Sequence, residues 1–177
     1  MKKVIVTVCW GNMFRSVLLK LRLDQELARR GMTGEYEVLS RGIMGSCGVK
    51  APKHKNVTGY PVWQHCRPRF EALGIQLPSE QTSTPITRSA VETATIILAA
   101  DRKVLRDDLA SLSRRFPSFT KKMFLFTVLI GGNHDVDDIK EDDTEENVER
   151  GVRAVDDIAS RGFDRLIALI SSSNCQL

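Results

Sequence analysis

This sequence has few cysteines and no long apolar run, and it lacks the closely spaced cysteine pairs that bind metals. Its four cysteines, Cys9, Cys47, Cys66 and Cys175, form no C-x-x-C pair, so neither a zinc site nor a thioredoxin-like motif is expected. The apolar stretch after Lys3 is too short for a signal peptide or a membrane-spanning helix. The sequence therefore predicts a cytoplasmic protein with reduced thiols, and no metal, cofactor or membrane partner.

The remaining composition is that of an ordinary globular domain. Hydrophobic residues occupy 42% of the 177 positions and charged residues 27%. A chain of this length buries roughly 70% of the surface that it exposes when unfolded, so residues 1–177 are expected to form a single domain. The net charge of +4 agrees with an anionic substrate and requires no nucleic-acid partner. The composition does not predict an oligomeric state.

Apolar strands and amphipathic helices alternate along the chain. Strands are predicted at residues 3–9, 36–40, 95–100 and 122–129. Helical patterns are predicted at 16–30, 63–73, 88–93, 102–114 and 144–159, with 166–170 extending the last helix. Such alternation is typical of an α/β fold. We therefore expect a single-domain four-stranded parallel sheet flanked by helices on both faces.

The first predicted strand leads directly into a segment suited to binding an oxyanion. It ends in Cys9-Trp10-Gly11-Asn12-Met13-Phe14-Arg15-Ser16, and a helix begins where this segment finishes. Ligands bind at the carboxyl ends of strands in open α/β sheets. Consecutive backbone N–H groups can form a concave nest there, and the helix N-terminus adds positive charge. Gly11 permits unusual backbone angles, and asparagine, as at Asn12, tolerates the left-handed conformation.

The side chains of this segment suit attack on phosphorus. A thiolate is favoured near a helix N-terminus and an arginine, which makes Cys9 the predicted nucleophile. Arg15 can grip two phosphate oxygens with its planar guanidinium, and Ser16 can hydrogen-bond the thiolate as it leaves. The alternative is a buried cysteine with no chemical role, but only Cys9 among the four cysteines has an arginine six residues later. The residues expected to contact the phosphate are Trp10, Gly11, Asn12, Met13, Phe14 and Ser16.

The segment VIVTVCWGNMFRS resembles the C-x-G-N-x-x-R-S signature of the low-molecular-weight protein tyrosine phosphatases. The similarity extends along the chain, because Ser40-Arg41-Gly42 and Ala100-Asp101-Arg102 resemble that family's Ser-Ala-Gly and Met-Asp-Arg segments. The resemblance implies a flavodoxin-like fold and hydrolysis of a phosphorylated protein or a small phosphomonoester through a phosphocysteine. It also implies that Asn12, Ser16 and Ser40 belong to a hydrogen-bond network that supports the loop.

Hydrolysis also requires a proton donor for the leaving oxygen and then a base for the attacking water. The resemblance places this carboxylic acid after the fourth strand, where the chain reads His134-Asp135-Val136-Asp137-Asp138-Ile139-Lys140. Alignment with the family's Asp-Ile-Pro-Asp-Pro favours Asp138 as the acid, with Asp137 as the alternative. A solvated acidic loop without a catalytic role is also possible. Asp101 is expected to position a helix or loop, and His134 to lie on the surface.

The chain departs from the family where aromatic side chains hold the phosphotyrosine ring. Ile139 and Lys140 stand in place of the first aromatic wall, and the second has no clear counterpart near Ser46 and Cys47. Trp10 is the leading substitute, with Tyr60 and Trp63 as weaker candidates that are as well explained by a place in the core. Phe14 stands where many relatives have a second cysteine, so no local disulfide switch is predicted.

Three other functions remain open at this point. An arsenate reductase on the same scaffold would need a closely spaced cysteine pair near the third strand, but Cys47 and Cys66 lie earlier and far apart. A non-catalytic phosphate or phosphoprotein binder is compatible with the altered surroundings of the acid. A phosphoryl carrier would also use a cysteine loop, but an arginine clamp favours transfer to water over storage.

Overall fold

The structure, a computed structural model, describes residues 1–46, 48–53, 55–76, 80–140 and 143–173. These residues form a sheet of four strands, which are β1 (Lys3–Cys9), β2 (Tyr36–Gly42), β3 (Ala94–Ala99) and β4 (Met123–Leu125). The spatial order is β2-β1-β3-β4, and each neighbouring pair is parallel. The prediction of a four-stranded parallel sheet is therefore confirmed.

The α-helices of the described residues lie between and after these strands. They are α1 (Arg15–Arg29), α2 (Pro61–Ala72), α3 (Arg88–Thr93), α4 (Leu112–Arg115) and α5 (Glu145–Ser173). Gly31 follows α1 with φ of 70°, the left-handed conformation with which helices commonly end. Helix α5 continues through Gly162, as predicted. None of the helices in the described ranges has the length and apolar character needed to span a bilayer.

Helices cover both faces of the sheet because successive strand residues point to opposite sides. On one face, Ile5 of β1 belongs to a buried cluster with residues of α1, α2 and α5. On the other, Val6 and Val8 belong to a second cluster with residues of α3 and α4. Both faces of β1 are therefore buried, which explains why this strand is an uninterrupted apolar run.

The segment after β3 differs from the long basic helix predicted through Arg114. The chain forms a short π-helical segment, Lys103–Asp107, and α4 follows only at Leu112. Asp108 separates the two, because its backbone is extended and its Oδ1 accepts a hydrogen bond from the backbone N–H of Ala110 at 2.8 Å. An aspartate that bonds its own following backbone in this way competes with helix formation.

Strand β4 is shorter than predicted. It ends at Leu125, which pairs with Ala99, the last residue of β3. The following residues Phe126–Ile130 form a 3₁₀ helix, and Phe126 and Leu129 are buried in the core. The apolar run from 126 to 129 is therefore core-facing helix rather than strand, because β3 offers no further partner for backbone hydrogen bonds.

Candidate active site

Cys9 lies at the carboxyl end of β1, on the floor of a cavity of about 420 Å³. Its side chain is almost wholly covered, since only 3% of the residue is exposed. The Cys9 Sγ lies 3.0 Å from the Ser16 Oγ at the start of α1. The predicted nucleophile therefore faces a ligand-sized space and has a hydroxyl beside it that can stabilise a negative sulfur.

Asn12 holds the loop between β1 and α1 in shape from below. Its backbone has φ of 53°, the left-handed conformation predicted for it. Its Nδ2 donates to the Ser16 Oγ at 3.0 Å, and its Oδ1 accepts from the backbone N–H of Thr84 at 2.8 Å. Asn12 and Ser16 are completely buried. Their side chains therefore support the loop and do not contact a ligand in the cavity.

Two residues far along the chain also support the loop through its carbonyl groups. The Ser83 hydroxyl donates to the Gly11 carbonyl at 2.8 Å, and the Trp63 Nε1–H donates to the Met13 carbonyl. Ser40, which the resemblance placed in this network, is buried on β2. Among the described residues, no hydrogen bond joins the Ser40 side chain to the loop, so the expectation for Ser40 needs correction. The side chains that support the loop include those of Asn12, Ser16, Ser83 and Trp63.

Gly42, at the end of β2, is the glycine that the loop requires. A Cβ atom built on Gly42 would lie 2.8 Å from the Asn12 backbone nitrogen and 2.9 Å from the Gly11 carbonyl carbon. Gly11 does not adopt a positive φ, so the unusual backbone angle expected there is found at Asn12 instead. The loop thus packs directly on the backbone of β2, and any side chain at position 42 would displace it.

The loop presents backbone donors that an oxyanion can use. Across the described residues, the backbone N–H groups of Gly11, Asn12, Met13 and Phe14 donate to no other group. They precede the first turn of α1, whose N-terminus carries partial positive charge. Such an arrangement of free N–H groups is a binding site for phosphate and similar anions.

Arg15 is buried beside the cavity and held by acidic partners. Its Nη1 donates to the Asp101 Oδ2 at 2.6 Å and to the Val136 carbonyl at 2.8 Å. Its Nη2 lies 3.0 Å from the Asp138 Oδ1, and its buried Nε has no partner among the described residues. Asp101 also accepts from the Val104 N–H at 2.7 Å, so it anchors the guanidinium as a positioning residue.

The charge of Arg15 is secured by these neighbours. Burial alone would lower the pKa of Arg15, but the negative charges of Cys9, Asp138 and Asp101 outweigh burial and raise that pKa above its ordinary value. The arginine therefore stays cationic. Its buried Nε–H has no acceptor among the described residues and is a donor that a bound oxyanion can use.

Asp138 and Asp137 point to different sides of the same loop. Asp138 lines the cavity above Cys9 and contacts Arg15. Asp137 lines a separate cavity with Arg150, whose Nη2 is 4.0 Å from the Asp137 Oδ2. Both side chains are well exposed, at 59% and 79%. Of the two predicted candidates for the acid, only Asp138 lies with the nucleophile.

Two aromatic side chains and two lysines, Lys53 and Lys140, lie at the mouth of the cavity. Trp10 and Tyr60 both line the cavity, and the Lys103 ammonium lies 4.1 Å from the centre of the Trp10 ring. Residues at this mouth that the sequence did not indicate are Met44, Pro52 and Lys53. The sequence did not reveal them because the loop between β2 and α2 has no periodic pattern.

Trp63, one of the weaker candidates for an aromatic wall, lies in the core. Trp63 is completely buried, and its ring packs on Phe14 at 5.0 Å and on Phe70 at 4.8 Å. The Phe14 ring is likewise buried, so its contribution to a ligand is its backbone N–H. Ile139 is buried against Gly151 of α5 and also lines the cavity beside Asp138, where it offers an aliphatic rather than an aromatic surface.

Cys66 does not share the setting of Cys9. It lies in the core on α2, completely buried, and burial raises the pKa of its thiol to about 12. A thiol with this pKa is unreactive at neutral pH. Cys47, the other cysteine considered near Cys9, lies outside the described residues.

No protein-family model and no curated protein matches the chain. Solved structures do match it. A protein tyrosine phosphatase from Entamoeba histolytica is 18% identical with a TM-score of 0.70, over 94% of this chain and 98% of that one. The YwlE arginine phosphatase from Geobacillus stearothermophilus is 21% identical with a TM-score of 0.67, over 94% of both chains.

A low-molecular-weight protein tyrosine phosphatase from T. tengcongensis aligns with 93% of this chain and 99% of its own, at 16% identity and a TM-score of 0.68. The chain has the fold of these phosphatases. The expected fold, including the helices on both faces of the sheet, is thereby confirmed.

Proposed function

We propose that the protein is a phosphomonoester hydrolase that acts through a phosphocysteine intermediate, like the protein tyrosine phosphatases. The observation that carries the proposal is that Cys9, Asp138 and the loop residues Gly11, Met13 and Phe14 line one cavity. Arg15 is buried beside that cavity and is paired with Asp138. Cys9 supplies the nucleophile, and the free N–H groups of the loop supply the oxyanion site. Arg15 supplies a fixed positive charge, and Asp138 supplies the proton donor.

In the first step, the Cys9 thiolate attacks phosphorus and the bond from phosphorus to the ester oxygen breaks. The loop N–H groups and the Arg15 guanidinium hold the non-bridging oxygens, whose negative charge they are placed to stabilise. Asp138, in its protonated form, donates its proton to the leaving oxygen, so that an alcohol departs rather than an alkoxide. A phosphocysteine and a carboxylate remain.

In the second step, the Asp138 carboxylate takes a proton from water as the water attacks phosphorus. The bond from phosphorus to sulfur breaks, inorganic phosphate forms, and Cys9 departs as a thiolate. The Ser16 hydroxyl, 3.0 Å from the sulfur, can donate to the thiolate and makes it a better leaving group. A thiolate chemistry of this kind requires a reducing compartment, which agrees with a cytoplasmic location.

Phosphotyrosine in a protein is the substrate that the mouth favours. Trp10 and Tyr60 offer aromatic surface above the phosphate site, where a phenyl ring can pack. An arginine phosphatase is the second candidate, since at least two of the matching structures are of such an enzyme. Arsenate reduction would need further thiols beside Cys9, and Cys66 is buried with a raised pKa near 12.

Turnover of p-nitrophenyl phosphate tests the proposed reaction. The wild-type protein should hydrolyse it at mildly acidic pH, and Cys9→Ser should abolish turnover while retaining binding of inorganic phosphate. Trapping of radiolabelled phosphate on Cys9 after rapid acid quench would identify the intermediate. Tight phosphate binding by a wild-type protein without turnover would instead establish the non-catalytic binder.

A comparison of purified substrates then tests the preferred phosphate. Turnover of phosphotyrosine, phosphoserine, phosphoarginine and arsenate should be measured with the same preparation. The aromatic mouth predicts the highest kcat/KM for phosphotyrosine. A higher value for phosphoarginine would assign the protein to the second candidate function.

A further inference from the structure

Two lysines stand at the mouth of the Cys9 cavity on segments far apart in sequence. Lys53 comes from the loop between β2 and α2, and Lys140 from the loop before α5. Both residues are exposed. Their ammonium groups form no ion pair or hydrogen bond with any described residue, because the one hydrogen bond of Lys140 uses its backbone N–H.

Within the described ranges, the two ammonium groups at the mouth have no acidic partner. Of the described residues that line the cavity, Lys53 and Lys140 are basic and Asp138 is acidic. The Asp138 carboxylate is already paired with Arg15 at 3.0 Å. Elsewhere in the described chain, exposed basic groups often have an acidic partner, as Arg88 has Glu92 at 2.8 Å and Arg153 has Glu149 at 2.8 Å.

The reacting phosphate does not require these lysines. That group is provided for on the floor, by the free N–H groups of the loop and by the buried Arg15. The exposed ammonium groups of Lys53 and Lys140 can instead pair with negative groups of the substrate that stay near the protein surface while the phosphate enters the cavity. Side chains that flank a phosphorylated residue in a peptide occupy that position.

We infer that Lys53 and Lys140 select phosphorylated peptide segments in which acidic residues flank the phosphorylated residue. The inference rests on the proposed function and adds a class of substrate to it. The lysines act by steering and weak pairing, because exposed ion pairs contribute modestly and are screened by salt. Each lysine should account for about a two- to five-fold gain in kcat/KM at low salt.

The test compares phosphotyrosine peptides whose flanking residues are aspartate, asparagine or lysine. Lys53→Met and Lys140→Met remove one charge each and keep most of the side-chain length, and the double variant removes both. Lys121→Met is the matched control, since it removes the same charge from an exposed position before β4, at the opposite end of the sheet. p-Nitrophenyl phosphate has no charged group besides its phosphate, so its turnover reports the reaction without the flanking residues.

The wild type should prefer the aspartate peptide over the asparagine peptide, and high salt should reduce the preference. The double variant should lose this preference by a larger factor than any change in its p-nitrophenyl phosphate turnover, and Lys121→Met should behave as wild type. Equal kcat/KM for the three peptides with normal p-nitrophenyl phosphate turnover would overturn the inference and leave the proposed function standing. A preference that survives in the double variant would also overturn it.

The same selectivity is measurable without turnover. Binding of the labelled peptides to Cys9→Ser, followed by fluorescence anisotropy, should rank them in the same order and lose the ranking when both lysines are replaced. If the wild type turns over no substrate, this binding order alone decides the inference, and a failure of the proposed function remains distinguishable. A small aryl phosphate that also carries a carboxylate serves as a further probe. If that carboxylate raises affinity over the uncharged aryl phosphate as much as the aspartates raise it over the asparagine peptide, the requirement for a peptide is refuted.

Discussion

The floor and the mouth of the cavity are built in opposite ways. On the floor, Asn12 and Ser16 are completely buried, and each side chain has a fixed partner. At the mouth, Asp138, Lys53 and Lys140 are exposed, and of these only the Asp138 side chain has a described partner, Arg15. The loop that we propose to bind phosphate is thus held by buried hydrogen bonds, while the side chains that we propose to meet the rest of the substrate are exposed.

The physical cost of each arrangement explains the difference. A site for a doubly charged oxyanion must orient its donors before the ligand arrives, because reorganisation during the reaction would raise the barrier. Burial and hydrogen bonding provide that order. A general acid must reach the leaving oxygen and later a water molecule, which requires access to solvent, and recognition of varied flanking residues tolerates exposed side chains.

The largest expected effect separates the two adjacent aspartates Asp137 and Asp138. Asp138→Asn should reduce kcat by roughly 10²–10⁴ for a substrate with a poor leaving group, because the ester oxygen would depart without a proton. The loss should be much smaller for p-nitrophenyl phosphate, whose leaving group needs little protonation. Steady-state kinetics with alkyl and aryl phosphates would measure this dependence.

Asp137→Asn is the matched control, because it removes the neighbouring carboxylate that faces Arg150 and the other cavity. It should leave kcat within a few-fold of wild type. If Asp137→Asn shows the leaving-group dependence and Asp138→Asn does not, the acid is Asp137, and the contrast between the two sides of the loop is wrong.

A substitution beneath the floor should have the next largest effect. Gly42→Ala places a Cβ atom against the Asn12 nitrogen, at 2.8 Å in the present geometry, so the loop must shift. Overpacking of this kind costs about 1–3 kcal/mol of stability, and a displacement of the catalytic groups by about 1 Å can cost 10²-fold in rate. Thermal unfolding and kcat/KM for p-nitrophenyl phosphate would report both.

Gly34→Ala is its control, since Gly34 is exposed and no atom lies within 4 Å of a Cβ built there. This variant should retain the melting temperature and turnover of the wild type. Equal activity of the two variants would mean that the floor is less rigid than its hydrogen bonds imply.

The smallest effect is expected at Cys66, the second cysteine among the described residues, which should resist chemical modification. Because burial raises the pKa of the Cys66 thiol to about 12, this thiol stays protonated at neutral pH, and its burial excludes reagents. Iodoacetamide should therefore modify Cys9 and spare Cys66, as peptide mass spectrometry would show, and inorganic phosphate should protect Cys9. Modification of Cys66 before Cys9 would contradict this distinction between core and site.

How far prediction from the sequence succeeded depends on the range of the interactions involved. The left-handed Asn12, the end of α1 at Gly31 and the buried β1 are local consequences of residue type and periodicity. The break at Asp108 and the 3₁₀ helix at Phe126–Ile130 were missed. At Asp108, a hydrogen bond of the side chain interrupted the predicted helix. At Phe126–Ile130, the strand could not continue because β3 ends at Ala99, and an apolar pattern does not distinguish a helix from a strand.

The sequence by itself determined the strand–loop–helix segment with Cys9, Arg15 and Ser16, because these groups lie within eight residues and their spacing fixes their geometry. Only the tertiary structure decided what surrounds them. It brought Thr84 to Asn12 and Asp101 to Arg15, contacts between residues 72 and 86 positions apart. It also turned Asp138 towards Cys9 and Asp137 away, which adjacent identical residues cannot reveal. Long-range packing sets these directions, and no local pattern encodes them.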